Sequence, residues 1–177
     1  MKDKSAKTRK RKEAGQGDTV SYSGEPPPPF TSGPIVLTGI EGEFVRADLE
    51  FDGVDHGGVS FEARVFLNNA DATADTLQDL AHGYAGSFNI FGHGGCLGDP
   101  GHCDIRGLPR LYDPRPANPL TPARKIVIAT EAIRYMIKVK KKKTLIVRIV
   151  PVITSGTTRC DYKNVLKLDQ ITLQIYK

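Results

Sequence analysis

Tryptophan is absent from this 177-residue chain, methionine occurs twice and cysteine only three times. So small and odd a cysteine count excludes a full disulfide framework. No run of eighteen apolar residues exists, which excludes a transmembrane helix on length. The basic start is not followed by an apolar core of the kind a secretory signal needs. Cytoplasmic residence is therefore the default expectation, although a chain cut from a longer precursor would escape it. Also missing are a G-x-S-x-G elbow, a phosphate-binding Walker loop and an H-E-x-x-H helix. The four histidines, His56, His82, His93 and His102, include no H-x-x-x-H pair. Catalysis by these routes is not expected.

Net positive charge is confined to one short block. Residues 1–12 hold seven Lys/Arg against Asp3, whereas the rest of the chain holds 18 basic and 19 acidic groups. The high pI thus belongs to the tail. A like-charged block of this kind buries too little apolar surface to fold. It reads as a solubilising arm, or as a nucleic-acid contact or nuclear-targeting segment through KTRKRK. Gly15–Ser32 follows as a linker stiffened by Pro26–Pro29. Residues 1–32 are accordingly expected to be tail and linker, and residues 33–177 one domain.

Within that domain the period is mostly two. Residues 35–40, 43–51, 60–67, 84–91, 125–129, 144–153 and 165–176 read as strands. In the third of these, Phe61, Ala63, Val65 and Leu67 alternate with polar residues, as a half-buried strand requires. Tyr84, Phe88 and Ile90 are expected on one side of the next, and Ile171, Leu173 and Ile175 on the inner face of the last. Asp52–Gly58 reads as a loop and Asn68–Gly83 as a polar connection with a helical turn near Thr76–Ala81. The pairs Glu41/Glu43 and Asp48/Glu50 read as a solvent face. Thr130 offers a helix N-cap before Glu131–Val139, and Lys140–Lys143 closes that helix as a solvated end. Pro151 marks an edge or bulge. The expected fold is all-β, an antiparallel β-sandwich of about seven strands with one short helix and one long irregular loop.

That loop, Gly92–Pro122, contains six of the twelve prolines and six glycines. About thirty residues without regular structure are uncommon in a compact domain and are usually functional. HGGCLGDPGHC brings His93, Cys96, His102 and Cys103 within eleven residues. Thiolate and imidazole suit zinc or copper(I). The spacing H-x2-C-x5-H-C matches no standard zinc module, and the adjacent His102 and Cys103 point apart in extended backbone. A Cys96–Cys103 disulfide across a six-residue gap is the rival, and two free thiols the third alternative. The loop is expected to leave the sandwich at one end and to be held by the disulfide or by a metal those thiols share with His93. Cys160 reads as a buried small hydrophobe, and His56 beside Asp55 as an exposed loop residue.

Five segments in order, FEARVFLNN (61–69), YAGSFNIFGH (84–93), VIATEAIRYM (127–136), LIVRIVPV (145–152) and ITLQIYK (171–177), carry a family likeness. Over roughly Ser60 to Lys177 the chain resembles the C-terminal β-sandwich domain of tyrosinases and polyphenol oxidases, the type-3 copper oxidases. The resemblance implies a non-catalytic accessory domain that packs against a copper domain and covers its substrate entrance. It also implies, through cysteine pairs found in some members, assistance in copper delivery. Ala129-Thr130-Glu131 replaces the family's Asp-Ile-Thr step, and the Cys/His loop lies outside the common pattern. No residue inherits the family's plug role; Leu111 and Tyr112 are loop candidates only. Four histidines cannot build the family's six-histidine copper pair. The partner implied is a copper oxidase. The alternative, a self-assembling capsid-like sandwich, would use the basic arm on nucleic acid.

Overall fold

In a computed structural model of the chain, the residues described are 26–37, 39–40, 43–92, 121–153 and 165–177. The elements are β1 (Phe30–Thr31), β2 (Ile35–Val36), β3 (Arg46–Val54), β4 (Phe61–Leu67), β5 (Tyr84–Ile90), β6 (Ala123–Ile128), α1 (Thr130–Lys138), β7 (Thr144–Leu145), β8 (Val147–Val152) and β9 (Gln170–Tyr176). The fold is all-β with one short helix, as expected. The strands number nine among the described residues, and they form three antiparallel sheets ordered β1-β8-β4-β5, β6-β3-β9 and β2-β7. The excess over seven comes from two-residue strands, which have no periodicity to betray them.

The inward residues of the two larger sheets share one core. Ala63, Val65, Leu67, Val147 and Ile149 come from the first; Ala47, Leu49, Phe51, Val54 and Val127 come from the second. Each fully buried Val, Leu or Phe side chain contributes about 1.5–3 kcal/mol relative to exposure. Ile171, Leu173 and Ile175 pack against this core from β9, the inner face expected for them.

β5 departs from simple alternation. Val65 faces Gly86 while Phe66 faces Tyr84, so β5 carries one extra residue between them. This bulge turns Tyr84 away from Phe88 and Ile90, against expectation, and into a second cluster with Phe66, Ala72 and Val150. Gly86 sits at φ 136°, and a Cβ there would lie 2.7 Å from Val127 Cγ1. Glycine is thus required both by backbone conformation and by the approach of β6.

Two boundaries move. β3 continues to Val54 through what reads as a loop, because Asp52 pairs with Gln170 and Val54 with Ala123. The first sheet begins at Phe30, inside the stretch read as linker: Phe30 pairs with Ile149 and Thr31 with Arg148. Ser32 extends that contact, donating its N–H to Val147 O at 2.8 Å while its Oγ accepts the Val147 N–H at 2.9 Å. Among the described residues β1 pairs only with Arg148 and Ile149 of β8, so no described strand needs an N–H from Pro151 on that side.

The apolar run 144–153 is split at Ile146. Asn68, at φ 52°, accepts the Ile146 N–H through Oδ1 at 2.8 Å and donates through Nδ2 to Thr144 O at 3.1 Å. One side chain thus replaces strand partners at the break. Residues 76–81 contain bends, irregular chain and a turn at Leu80–Ala81, and no helix.

Helix α1 buries Ala132, Ile133 and Met136 at helical spacing. Its N-cap is Ala129, without a side-chain hydrogen bond, and not Thr130. The Thr130 hydroxyl is used instead on β3, accepting the Ala47 N–H at 3.0 Å. Arg134 fixes the helix to the start of β3: it donates to Phe44 O at 2.6 Å, pairs with Glu131 at 2.6 Å and lies over the Phe44 ring.

Candidate functional site

His93, Cys96, His102 and Cys103 lie outside the described residues, as do Leu111, Tyr112 and Cys160. What the structure places are the two roots of their loop. The Gly92 N–H donates to Ser60 Oγ at 3.0 Å, and a Cβ on Gly92 would fall 2.2 Å from the Val59 carbonyl carbon. On the returning side, His56 Nε2–H donates to Thr121 O at 2.7 Å. Both roots are therefore fastened to the same β3–β4 connection, residues 55–60. His56 is more than an exposed loop residue: it ties that connection to the returning chain. The connection is itself braced, with the Gly57 N–H bonded to Asp55 Oδ1 at 2.8 Å and Lys167 Nζ 3.7 Å from Asp55. The remaining described histidine, His82, donates its backbone N–H to Asp79 Oδ1 at 2.9 Å and places Nδ1 2.7 Å from the same oxygen. Among the described residues no group of three or more His, Cys, Asp or Glu side chains is arranged to hold a metal ion.

A second chemistry-bearing region is the face of sheet β6-β3-β9 turned away from the core. Asp48 and Glu50 do not form a solvent face; their exposures are 1% and 7%. Alternation with Leu49 and Phe51 puts them on the outer register, where arginines cover them. Arg46 Nε donates to Asp48 Oδ1 at 2.7 Å, with its guanidinium 5.8 Å from the Tyr176 ring centroid. Arg124 bridges two acids, through Nη2 to Glu50 and through Nε to Asp52 at 3.1 Å. A planar fork with several donors suits this double contact. The hydrogen bonds and charge of these carboxylates hold both guanidinium pKa values above their usual level.

Around these ion pairs β6 adds apolar side chains, while β9 carries the polar Gln170, Thr172 and Gln174 opposite Asp52, Glu50 and Asp48. Ile128 is opposite Asp48 and Ile126 opposite Glu50, with exposures of 62% and 49%. Tyr176, at the end of β9, is also exposed. Charges already paired within the chain need no countercharge from a partner, and exposed Ile and Tyr gain from being covered. The exposed isoleucines offer apolar surface of the kind a protein contact covers. The sequence hides this arrangement because Arg124 is 74 residues from Glu50.

Basic side chains gather at the end of α1, where Lys138 is followed by Lys140–Lys143. Lys140 Nζ lies 5.7 Å from the Tyr135 ring centroid, and the Lys142 N–H donates to Met136 O at 3.0 Å. The described residues include no helix long and apolar enough to cross a membrane. Compared with known proteins, the chain matches no protein-family model and no curated sequence.

Proposed function

We propose that this chain is a non-catalytic binding module that docks on, and shields, a copper oxidase of the tyrosinase type. The observation that carries the reading is where the family-like segments fall. FEARVFLNN supplies β4, YAGSFNIFGH β5, VIATEAIRYM the step from β6 into α1, LIVRIVPV β7 and β8, and ITLQIYK β9. Five segments in family order each supply a framework element and the side chains of one core. The face holding Ile126, Ile128 and Tyr176 is the surface offered to the partner, whose own domain supplies the coppers and the oxidation. If the Cys/His loop takes part, His93, Cys96, His102 and Cys103 have the donor chemistry to pass on copper(I).

The test uses the purified full chain with a tyrosinase-type oxidase lacking its own C-terminal domain. The chain alone, given copper, should not oxidise a diphenol. Added to the oxidase, it should bind and lower diphenol turnover, and Ile126→Asp/Ile128→Asp should abolish both effects. Diphenol oxidation by the isolated chain, or unchanged turnover with no binding, would overturn the reading. Shell-like particles in negative stain would favour the capsid-type alternative.

A further inference from the structure

Between the start of the β4–β5 connection and the end of α1 lies a cleft of about 300 Å³. Its floor includes Met136, which is buried, and its walls include Asn68, Asn69, His82, Lys140 and Lys142. The walls are fixed by bonds within the protein. Asn68 is committed to Ile146 and Thr144, and Asn69 Nδ2 donates to His82 O at 2.8 Å. On the other wall, Lys141 turns the chain at φ 52°, and the Lys142 N–H bond to Met136 O sets where that lysine begins.

The charge of this lining is one-sided. Its lining residues include two lysines, one of which (Lys140) also reaches over the Tyr135 ring, and no Asp or Glu. The nearby Asp79 is occupied by the backbone N–H and ring of His82. Among the described residues neither Lys140 nor Lys142 forms an ion pair, and Lys138, Lys141 and Lys143 add further positive charge next to the cleft. Such a concave, one-signed site concentrates anions, and lysine binds phosphate as a point charge. Among the described residues no Phe, Tyr or Trp lines the cleft, so a nucleic-acid base could stack only on the His82 ring. The volume is at the small end for ligand sites.

We infer that this cleft binds a phosphate group, held between Lys140 and Lys142. The inference is independent of the docking role proposed above. The phosphate can belong to a small phosphorylated molecule or to a nucleic-acid backbone, and the two sources are separable by experiment.

The isotope-labelled full chain is titrated in low-salt buffer with inorganic phosphate and, separately, with a short oligothymidylate, following backbone amide resonances. Saturable shifts at His82, Gly83 and Lys140–Lys142 with inorganic phosphate are expected. Lys140→Gln/Lys142→Gln should weaken binding at least about tenfold. Both lysines are exposed, so the variant should keep the dispersed spectrum of the folded chain, and Lys142→Gln alone provides a milder control. Oligothymidylate binding about tenfold or more tighter than phosphate, with steep salt dependence, assigns the source to a nucleic-acid backbone; comparable or weaker binding assigns it to a small phosphate ester. No saturable shift with either probe, shifts confined to residues 1–12, or unchanged affinity in the double variant would overturn the inference.

Discussion

Phe51 of β3 and Phe88 of β5 meet with ring centroids 4.9 Å apart and planes inclined by 41°. The two strands belong to different sheets, so this pair joins the inner faces of both. Phe51→Ala should cost about 3–5 kcal/mol by opening a cavity in the shared core. Phe88→Ala should cost a similar amount. A double-mutant cycle by urea denaturation should find a coupling of about 0.5–1.5 kcal/mol between them. Strict additivity would show that the rings do not support one another.

Gly86→Ala tests the bulge in β5. The new methyl group meets both an unfavourable φ and the Val127 side chain. A loss of about 1–3 kcal/mol is expected from the backbone conformation. Val127→Ala in the same background relieves the clash but not the backbone strain, so recovery in thermal melts should be partial.

Removing Arg124 leaves the nearly buried Glu50 carboxylate without its guanidinium partner. Arg124→Ala should destabilise the protein, seen as a lower urea midpoint, because it leaves a nearly buried carboxylate uncompensated. Adding Glu50→Gln removes the uncompensated charge and should recover part of the loss. If Arg124→Ala is neutral in urea titration, the pair contributes nothing to stability.

Asp79 supplies a pH dependence of known sign. The backbone N–H of His82, followed by its ring, holds the Asp79 carboxyl below its ordinary value of 3.8. A depressed pKa stabilises the fold above the unfolded value, and this contribution is lost as pH falls through the folded one. Between neutral pH and strong acid, Asp79→Asn should therefore lose less stability than the parent. Chemical denaturation of both proteins at several pH values checks this; parallel curves would refute it.

Much of the framework was legible because burial on one face of a strand leaves a period of two. β4 and β9 show it plainly, and apolar spacing on α1 placed Ala132, Ile133 and Met136. The misreadings have physical causes. Tyr84 reads onto the face of Phe88 and Ile90 because one inserted residue reverses alternation without altering composition. Thr130 has the side chain of an N-cap, but the Ala47 N–H takes its oxygen. Asp48 and Glu50 read as solvated because their arginine partners are set by folding: Arg124 comes from a strand distant in sequence, and Arg46 lies beside the Tyr176 ring. His56 gave no signal, since its partner is a backbone carbonyl, which every residue has. The Cys/His quartet, the sharpest chemical motif in the sequence, lies outside the described residues, and the sheet face and the lysine cleft carry no motif at all.

The fastening of Gly92 and Thr121 to one short connection has an evolutionary consequence. With its ends pinned to neighbouring points of a rigid body, an intervening segment that doubles in length adds only about 0.6 kcal/mol of closure entropy. Descendants of this fold can therefore exchange that segment wholesale, trading one donor set or recognition surface for another, while Ser60 and His56 hold the same two moorings. Variation among relatives should concentrate between those moorings and spare the residues that tie them.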